Sequence, residues 1–481
     1  MTRETPTRDT WVRLDNASNI FLAARTESDP KVFRVVAETD HEVDPLILQD
    51  ALDHTYDRYP LYHAVLRRGI FWYYLQDSDL RPAVSPENQH TCAPIYQSDR
   101  RNLLFRVVYH RRRITLEIFH ALSDGTGALW FLTDLVGAYI RLREAGEQQD
   151  APTQVDLPSA HPTDDVADAA LGLVPDSFAH YFRRRNRGEA IPDEVEAARE
   201  LGASRPEAAE PRLPGERPAG LGRLLRPLEK RVYRVQGTRT PDNRTRAVEL
   251  TMPASEVLAL ARAEGVAVTM YLTAMFFEAI RRSAGDLGTA RTLSASVPVN
   301  LRQFFPSMSP RNFFATVRVE HTYGEGTDDL GSISRALEAQ FRPLASAPSL
   351  ARKLGRLIKL ETMPLLRIIP RPLKDSILRL MNWGNNRGLT VAVSNLGRVV
   401  LPEPAESRVG RMLFHVSAAR PQFCAMSHGG LLTVSFTSPF SETGHIREFA
   451  RQLTERGVDV SVAAARVTEA ELTEAALAGA A

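Results

Sequence analysis

The chain has 481 residues, too many for one core of ordinary size, so two domains are expected. Charged residues make up 25% and apolar residues 43%, the balance of a soluble globular protein. A formal net charge of +2 gives no reason to expect a nucleic-acid partner, and two cysteines, Cys92 and Cys424, are too few for a disulfide framework or a metal cage. The polar start MTRETPTRDTWVRL lacks an apolar core segment and predicts no signal peptide. No apolar run approaches the roughly 20 residues that span a bilayer. With thiols that suit a reducing compartment, the expected location is cytoplasmic.

In chain order, residues 31–38 (KVFRVVAE) read as a first strand. Residues 44–59 read as a helix, opened by Asp44-Pro45 and closed by Pro60-Leu61. A strand over 71–75 and a hairpin over 103–109 and 113–118 complete an α+β lobe. The second arm of that hairpin alternates, with Ile114, Leu116 and Ile118 on one face and Thr115 and Glu117 on the other. The alternation stops at His120. Then follow a turn cluster, Ser123-Asp124-Gly125-Thr126-Gly127, and a helical pattern through Leu129, Leu132, Val136 and Tyr139.

This stretch reads H-x-x-x-D-G. A neutral histidine at the end of a buried strand is rigidly placed, and it can take a proton from a hydroxyl or amine near pH 7. Asp124 is expected to fold back and pin the loop, through backbone N–H groups or a distant arginine. Gly125 is expected to supply a backbone angle closed to residues with a side chain.

Residues 183–226 are rich in Arg, Glu, Ala and Pro with few large apolar side chains, the composition of a linker. The expected division is an N-terminal lobe over 1–182, a linker over 183–230 and a C-terminal lobe over 231–481. In the second lobe, 245–251 read as a strand, 253–263 as a helix, and 268–280 (VTMYLTAMFFEAI) as a helix apolar on all sides and therefore buried. A strand over 292–298 leads into Asn300-Leu301-Arg302. Residues 351–380 are basic and amphipathic, with eight Arg and Lys against Glu361 and Asp375, broken by Pro364, Pro370 and Pro372. Such a segment suits an ordinary solvated helix face, weak contact with an anionic membrane surface, or the phosphates of a ligand. Strands over 390–393, 411–416 and 430–437 and a helix over 444–457 close the chain. Ser394 and Asn395, in VSNLG, either donate hydrogen bonds to a developing oxyanion or cap a turn.

The motif H-x-x-x-D-G, followed in order by P-V-N-L-R and S-N-L-G, resembles the CoA-dependent acyltransferase superfamily. The opening W-V-R-L-D-N-A-S-N-I-F, the corner RYPLYHA and the segment SVPVNLRQFFPS with RNFF resemble its bacterial alcohol acetyltransferase-like members. The resemblance implies two chloramphenicol acetyltransferase-like α/β sandwich lobes with mixed sheets around a central tunnel. It implies His120 as general base and Arg302 as partner of Asp124, gripping the carboxylate with two parallel hydrogen bonds; Arg311 and Arg318 are nearby rivals for that place. It further implies acyl transfer from a thioester, with acyl-CoA (acetyl-CoA foremost) as co-substrate, no tightly bound cofactor, a small hydroxyl acceptor and a monomer. Peptide-synthetase condensation domains carry two adjacent histidines; here Phe119 stands at the first position, which favours a free-standing O-acyltransferase. Two other readings stay open, a carrier-protein-dependent acyltransferase of the condensation type and a non-catalytic member that binds a ligand in the tunnel.

Overall fold

The computed structural model describes residues 11–14, 16–147, 181, 231–240, 244–362 and 371–464. The expected linker over 183–230 and the tail beyond 464 lie outside the described residues.

The N-terminal part runs β1 (Trp11–Arg13), α1 (Asn16–Ala24), β2 (Val32–Thr39), α2 (Pro45–Asp57), β3 (Val65–Arg68), β4 (Tyr73–Gln76), β5 (Ser85–Pro86), β6 (Phe105–His110), β7 (Arg113–Phe119) and α3 (Gly125–Glu147). The start signal before α2 works as an N-cap, since the Asp44 carboxylate accepts from the N–H groups of Leu46 and Ile47. The C-terminal part runs β8 (Arg246–Pro253), α4 (Ala254–Ala263), α5 (Val268–Ala284), β9 (Thr292–Asn300), β10 (Phe314–Thr322), α6 (Leu330–Leu344), α7 (Ala347–Thr362), α8 (Arg371–Arg387), β11 (Val391–Arg398), β12 (Val409–Val416), β13 (Gln422–His428), β14 (Leu431–Ser438), α9 (Gly444–Thr454) and β15 (Ser461–Ala464).

The strands form two large mixed sheets and one small one. The first large sheet has the order β12-β2-β7-β6-β5, the second β10-β9-β11-β13-β14-β8-β15, and the small sheet β1-β4-β3. Each large sheet supports its own apolar core: α2 and α3 cover the first, and α5 runs buried along the second with Met270 to Ile280 inside. Mixed pairing follows from the connections. Hairpins such as β6–β7 and β13–β14 are antiparallel, while β11 lies parallel to both β9 and β13 after long crossovers.

The two halves exchange material. β12, from the C-terminal part, pairs antiparallel with β2 along Val409 to Val416 and completes the first sheet. Met412 and Phe414 belong to the first core for that reason. Arg113 of β7 in turn reaches Glu249 of β8 with two parallel hydrogen bonds of 2.9 and 2.8 Å. The halves are thus joined by a shared strand and by buried charge.

The two faces of β7 do not divide into core and solvent. Both are buried from Ile114 to Phe119. The Glu117 face meets Arg34 and Arg106, and the Glu117 carboxylate also accepts from the Cys92 N–H at 2.9 Å. A buried carboxylate is tolerable because two guanidinium groups and a backbone donor surround it.

Candidate active site

β7 ends at Phe119, and the ladder holds one residue further: His120 N–H donates to the Lys31 carbonyl at 2.8 Å. The imidazole therefore sits on a strand gripped on both sides by β2 and β6. Phe21 of α1 stacks face-on against it at 4.0 Å between centroids. Phe33 of β2 lies at 4.8 Å and Phe314 of β10 at 5.8 Å. Rings from both sheets thus meet at one histidine. Two shallow clefts, one walled by Asp40, Arg143 and Arg408 and one by Glu87, Arg106 and Glu117, lie elsewhere on the surface.

His120 Nδ1 is buried without a hydrogen-bond partner. The residue as a whole keeps partial exposure. Burial among aromatic rings drives the His120 pKa down from 6.5 to about 4; the residue's own carbonyl, the Asp124 charge and Asn312 pull weakly the other way. The ring is neutral at pH 7, as a proton acceptor must be.

Asn312 ties this corner together. Its amide donates to the His120 carbonyl at 2.7 Å and to Ser18 Oγ of α1 at 3.0 Å. Its own Oδ1 is buried without a partner.

Asp124 opens α3. Its Oδ1 accepts from the Gly127 N–H at 2.9 Å, capping the helix. Its Oδ2 accepts from Arg302 Nη1 at 2.7 Å and from the Phe313 N–H at 2.9 Å. Neither oxygen bonds the imidazole. Arg302 follows β9 and comes from the other sheet. Its grip departs from the expected pair of parallel bonds: Nη1 takes the carboxylate while Nη2 takes the carbonyls of Ser309 and Arg311, each at 2.7 Å. A guanidinium with a fork of donors can serve three acceptors on two segments at once. The indole of Trp130 lies under it at 5.3 Å. Of the rivals, Arg318 bonds Ser294 and Glu320, and Arg311 lends its carbonyl to Arg302.

Gly125 needs correcting. Its φ is not in the left-handed region; what a side chain there would meet is the Leu396 side chain, whose Cδ2 lies 2.7 Å from where a Cβ would stand and would have to shift. Gly127 is the more constrained of the two, because a Cβ would meet the Pro310 carbonyl oxygen at 2.1 Å. The S-N-L-G segment therefore lies directly against the H-x-x-x-D-G turn. Within it, Asn395 Oδ1 accepts from the Gly397 N–H at 2.8 Å and its amide donates to Thr269 at 2.9 Å, so its polar atoms serve the turn-capping alternative. Ser394 is half-buried in β11, opposite Cys424 of β13.

No family model and no curated relative matches the sequence. Solved structures do. Polyketide synthase associated protein 5 from Mycobacterium tuberculosis superposes with a TM-score of 0.54 at 13% identity, over 92% of this chain and 97% of that one. The trichothecene 15-O-acetyltransferase of Fusarium sporotrichioides gives 0.54 at 12% identity, over 95% and 96%. The first condensation domain of the calcium-dependent antibiotic synthetase gives 0.53 at 15% identity, over 92% and 96%. The fold is the one these structures share, a condensation-domain and acyltransferase-like fold.

Phe21, Phe33, Phe314 and Asn312 go unassigned by sequence reasoning. The RNFF segment did mark the neighbourhood of the last two, but an aromatic or an amide carries no local signature of packing on a histidine far away in the chain.

Proposed function

We propose that the protein is an acyltransferase that moves an acyl group from a thioester to a hydroxyl acceptor, with His120 as general base. The observation that carries this reading is a neutral imidazole, held at the end of β7 and ringed by aromatic side chains from both sheets. In the proposed reaction Nε2 accepts the hydroxyl proton as the oxygen attacks the thioester carbonyl carbon. The C–S bond then breaks, and the proton passes from the imidazolium to the departing thiolate. Holding both substrates at the seam removes the need for an acyl-enzyme. Asp124 and Arg302 act on the loop rather than on substrate. Acyl-CoA is the proposed donor.

The likeness to a polyketide-associated protein and to a condensation domain supports a second reading, in which a carrier protein presents the thioester. Release of free thiol from acetyl-CoA, measured with a panel of alcohols, separates the two donors. General base catalysis contributes on the order of 10²–10⁴-fold, so His120→Ala should lose nearly all thiol release while keeping the melting temperature. Unchanged turnover in that variant would refute the assignment.

A further inference from the structure

α8 leaves a stripe of large apolar side chains facing outward. Leu373, Ile377, Leu380 and Trp383 are 54%, 39%, 64% and 54% exposed. Their spacing of four, three and three residues places them on one stripe of the helix. Leu378 and Met381 turn inward and are half-buried, and the flanks of the stripe are tied to the protein by polar contacts. Tyr73 Oη donates to Asp375 at 3.0 Å, Lys374 Nζ sits 3.5 Å over the Trp72 ring, and Arg379 Nε donates to the Ala23 carbonyl at 3.2 Å. A helix with a second apolar stripe left outward presents a surface that water does not favour.

The charge around the stripe is positive. Lys374, Arg379 and Arg387 flank it, against the single acid Asp375, which Tyr73 engages. The Arg387 guanidinium lies 4.0 Å over the Trp383 ring, so a cation is built into the stripe itself. The hairpin tip beside the helix adds Ile70 and Phe71, 77% and 42% exposed, with Lys374 reaching the Phe71 carbonyl. Among the described residues no single helix is long and apolar enough to cross a membrane.

We propose that the outer face of α8 docks peripherally on an anionic lipid surface. Aliphatic side chains and a tryptophan enter the headgroup boundary while the basic groups meet the lipid phosphates and carboxylates. Charge argues against a second copy of this chain, because a two-fold contact on this face sets cation against cation. The surface adjoins the histidine: α8 packs on α1, and Phe21 of α1 covers the imidazole.

The test is co-sedimentation of the full chain with vesicles of phosphatidylcholine alone and with added phosphatidylserine. Binding should require phosphatidylserine, weaken with salt, and fall at least about tenfold in a Leu373→Glu/Leu380→Glu double variant. Both positions are exposed, so circular dichroism should be unchanged. His120→Ala should bind as the parent does, which separates this result from the fate of the proposed chemistry. Absence of binding by the parent, binding untouched by the double variant, or a dimer in light scattering that the variant dissolves would each overturn the proposal.

Discussion

One carboxylate oxygen, Asp124 Oδ2, receives both the Arg302 guanidinium and the Phe313 backbone N–H. The two donors come from either side of the loop between β9 and β10, so a single atom of the first half fixes a loop of the second. The side chains of Asp124 and Arg302 are 6% and 7% exposed. Removing one partner of such a pair leaves a buried charge and costs about 3–5 kcal/mol. Asp124→Asn should lower the urea midpoint and the thermal midpoint along with any turnover. Arg302→Lys should behave similarly, because one ammonium cannot reproduce the fork across Asp124, Ser309 and Arg311. Variants as stable as the parent would exclude the tie.

The two glycines of the motif should respond differently to alanine. At Gly127 the obstacle is the Pro310 backbone carbonyl, which cannot move without shifting the loop that Arg302 holds. At Gly125 the obstacle is the far end of the Leu396 side chain. Gly127→Ala is expected to cost about 1–3 kcal/mol or more and Gly125→Ala less. Parallel denaturant unfolding of the two variants measures the difference.

The buried imidazole sets a pH dependence. With the His120 pKa near 4, the acid limb of kcat/KM for the proposed reaction should fall near pH 4 and not near 6.5. The sign for stability is the same. Below about 6.5 the unfolded chain binds a proton that the folded one refuses, so stability present above that pH is lost as pH falls towards 4. Burial lowers His445 to about 4 as well, which adds to the loss over that window. Thermal midpoints recorded from pH 8 to pH 4 check the second statement, and His120→Ala should flatten part of the slope.

Asn312 holds the carbonyl of His120 and the hydroxyl of Ser18 with one amide. Asn312→Ala should leave the imidazole less well placed and reduce turnover by about tenfold to a hundredfold. It also removes a group that raises the His120 pKa, so the acid limb should move to lower pH. A variant that loses stability alone, with the acid limb unmoved, would confine Asn312 to packing.

Local signals in the chain were enough for much of the first half. The Asp44 cap, the hairpin of β6 and β7, the stop at His120 and the turn that starts α3 all follow from period, capping and turn chemistry within a few residues. The buried α5 follows from an apolar run longer than a strand needs. β10, α6 and β13 carry no such expectation. β13 reads QFCAMSH, with small and polar residues that only two flanking strands make into a central strand.

The sequence by itself determined that a histidine would end a strand, that an aspartate would cap the turn behind it, and that the chain would fold as two α/β lobes. These are consequences of short-range backbone geometry and of which side chains avoid water. Only the tertiary structure decided what surrounds the imidazole and what the aspartate holds. Phe21, Phe314 and Asn312 reach His120 across 99, 194 and 192 positions of sequence, and β12 returns to the first sheet nearly three hundred residues after that histidine. Such contacts depend on how two sheets pack, which no local pattern encodes. The burial that lowers the histidine pKa and the outward apolar stripe of α8 arise at the same level, from the packing of whole elements.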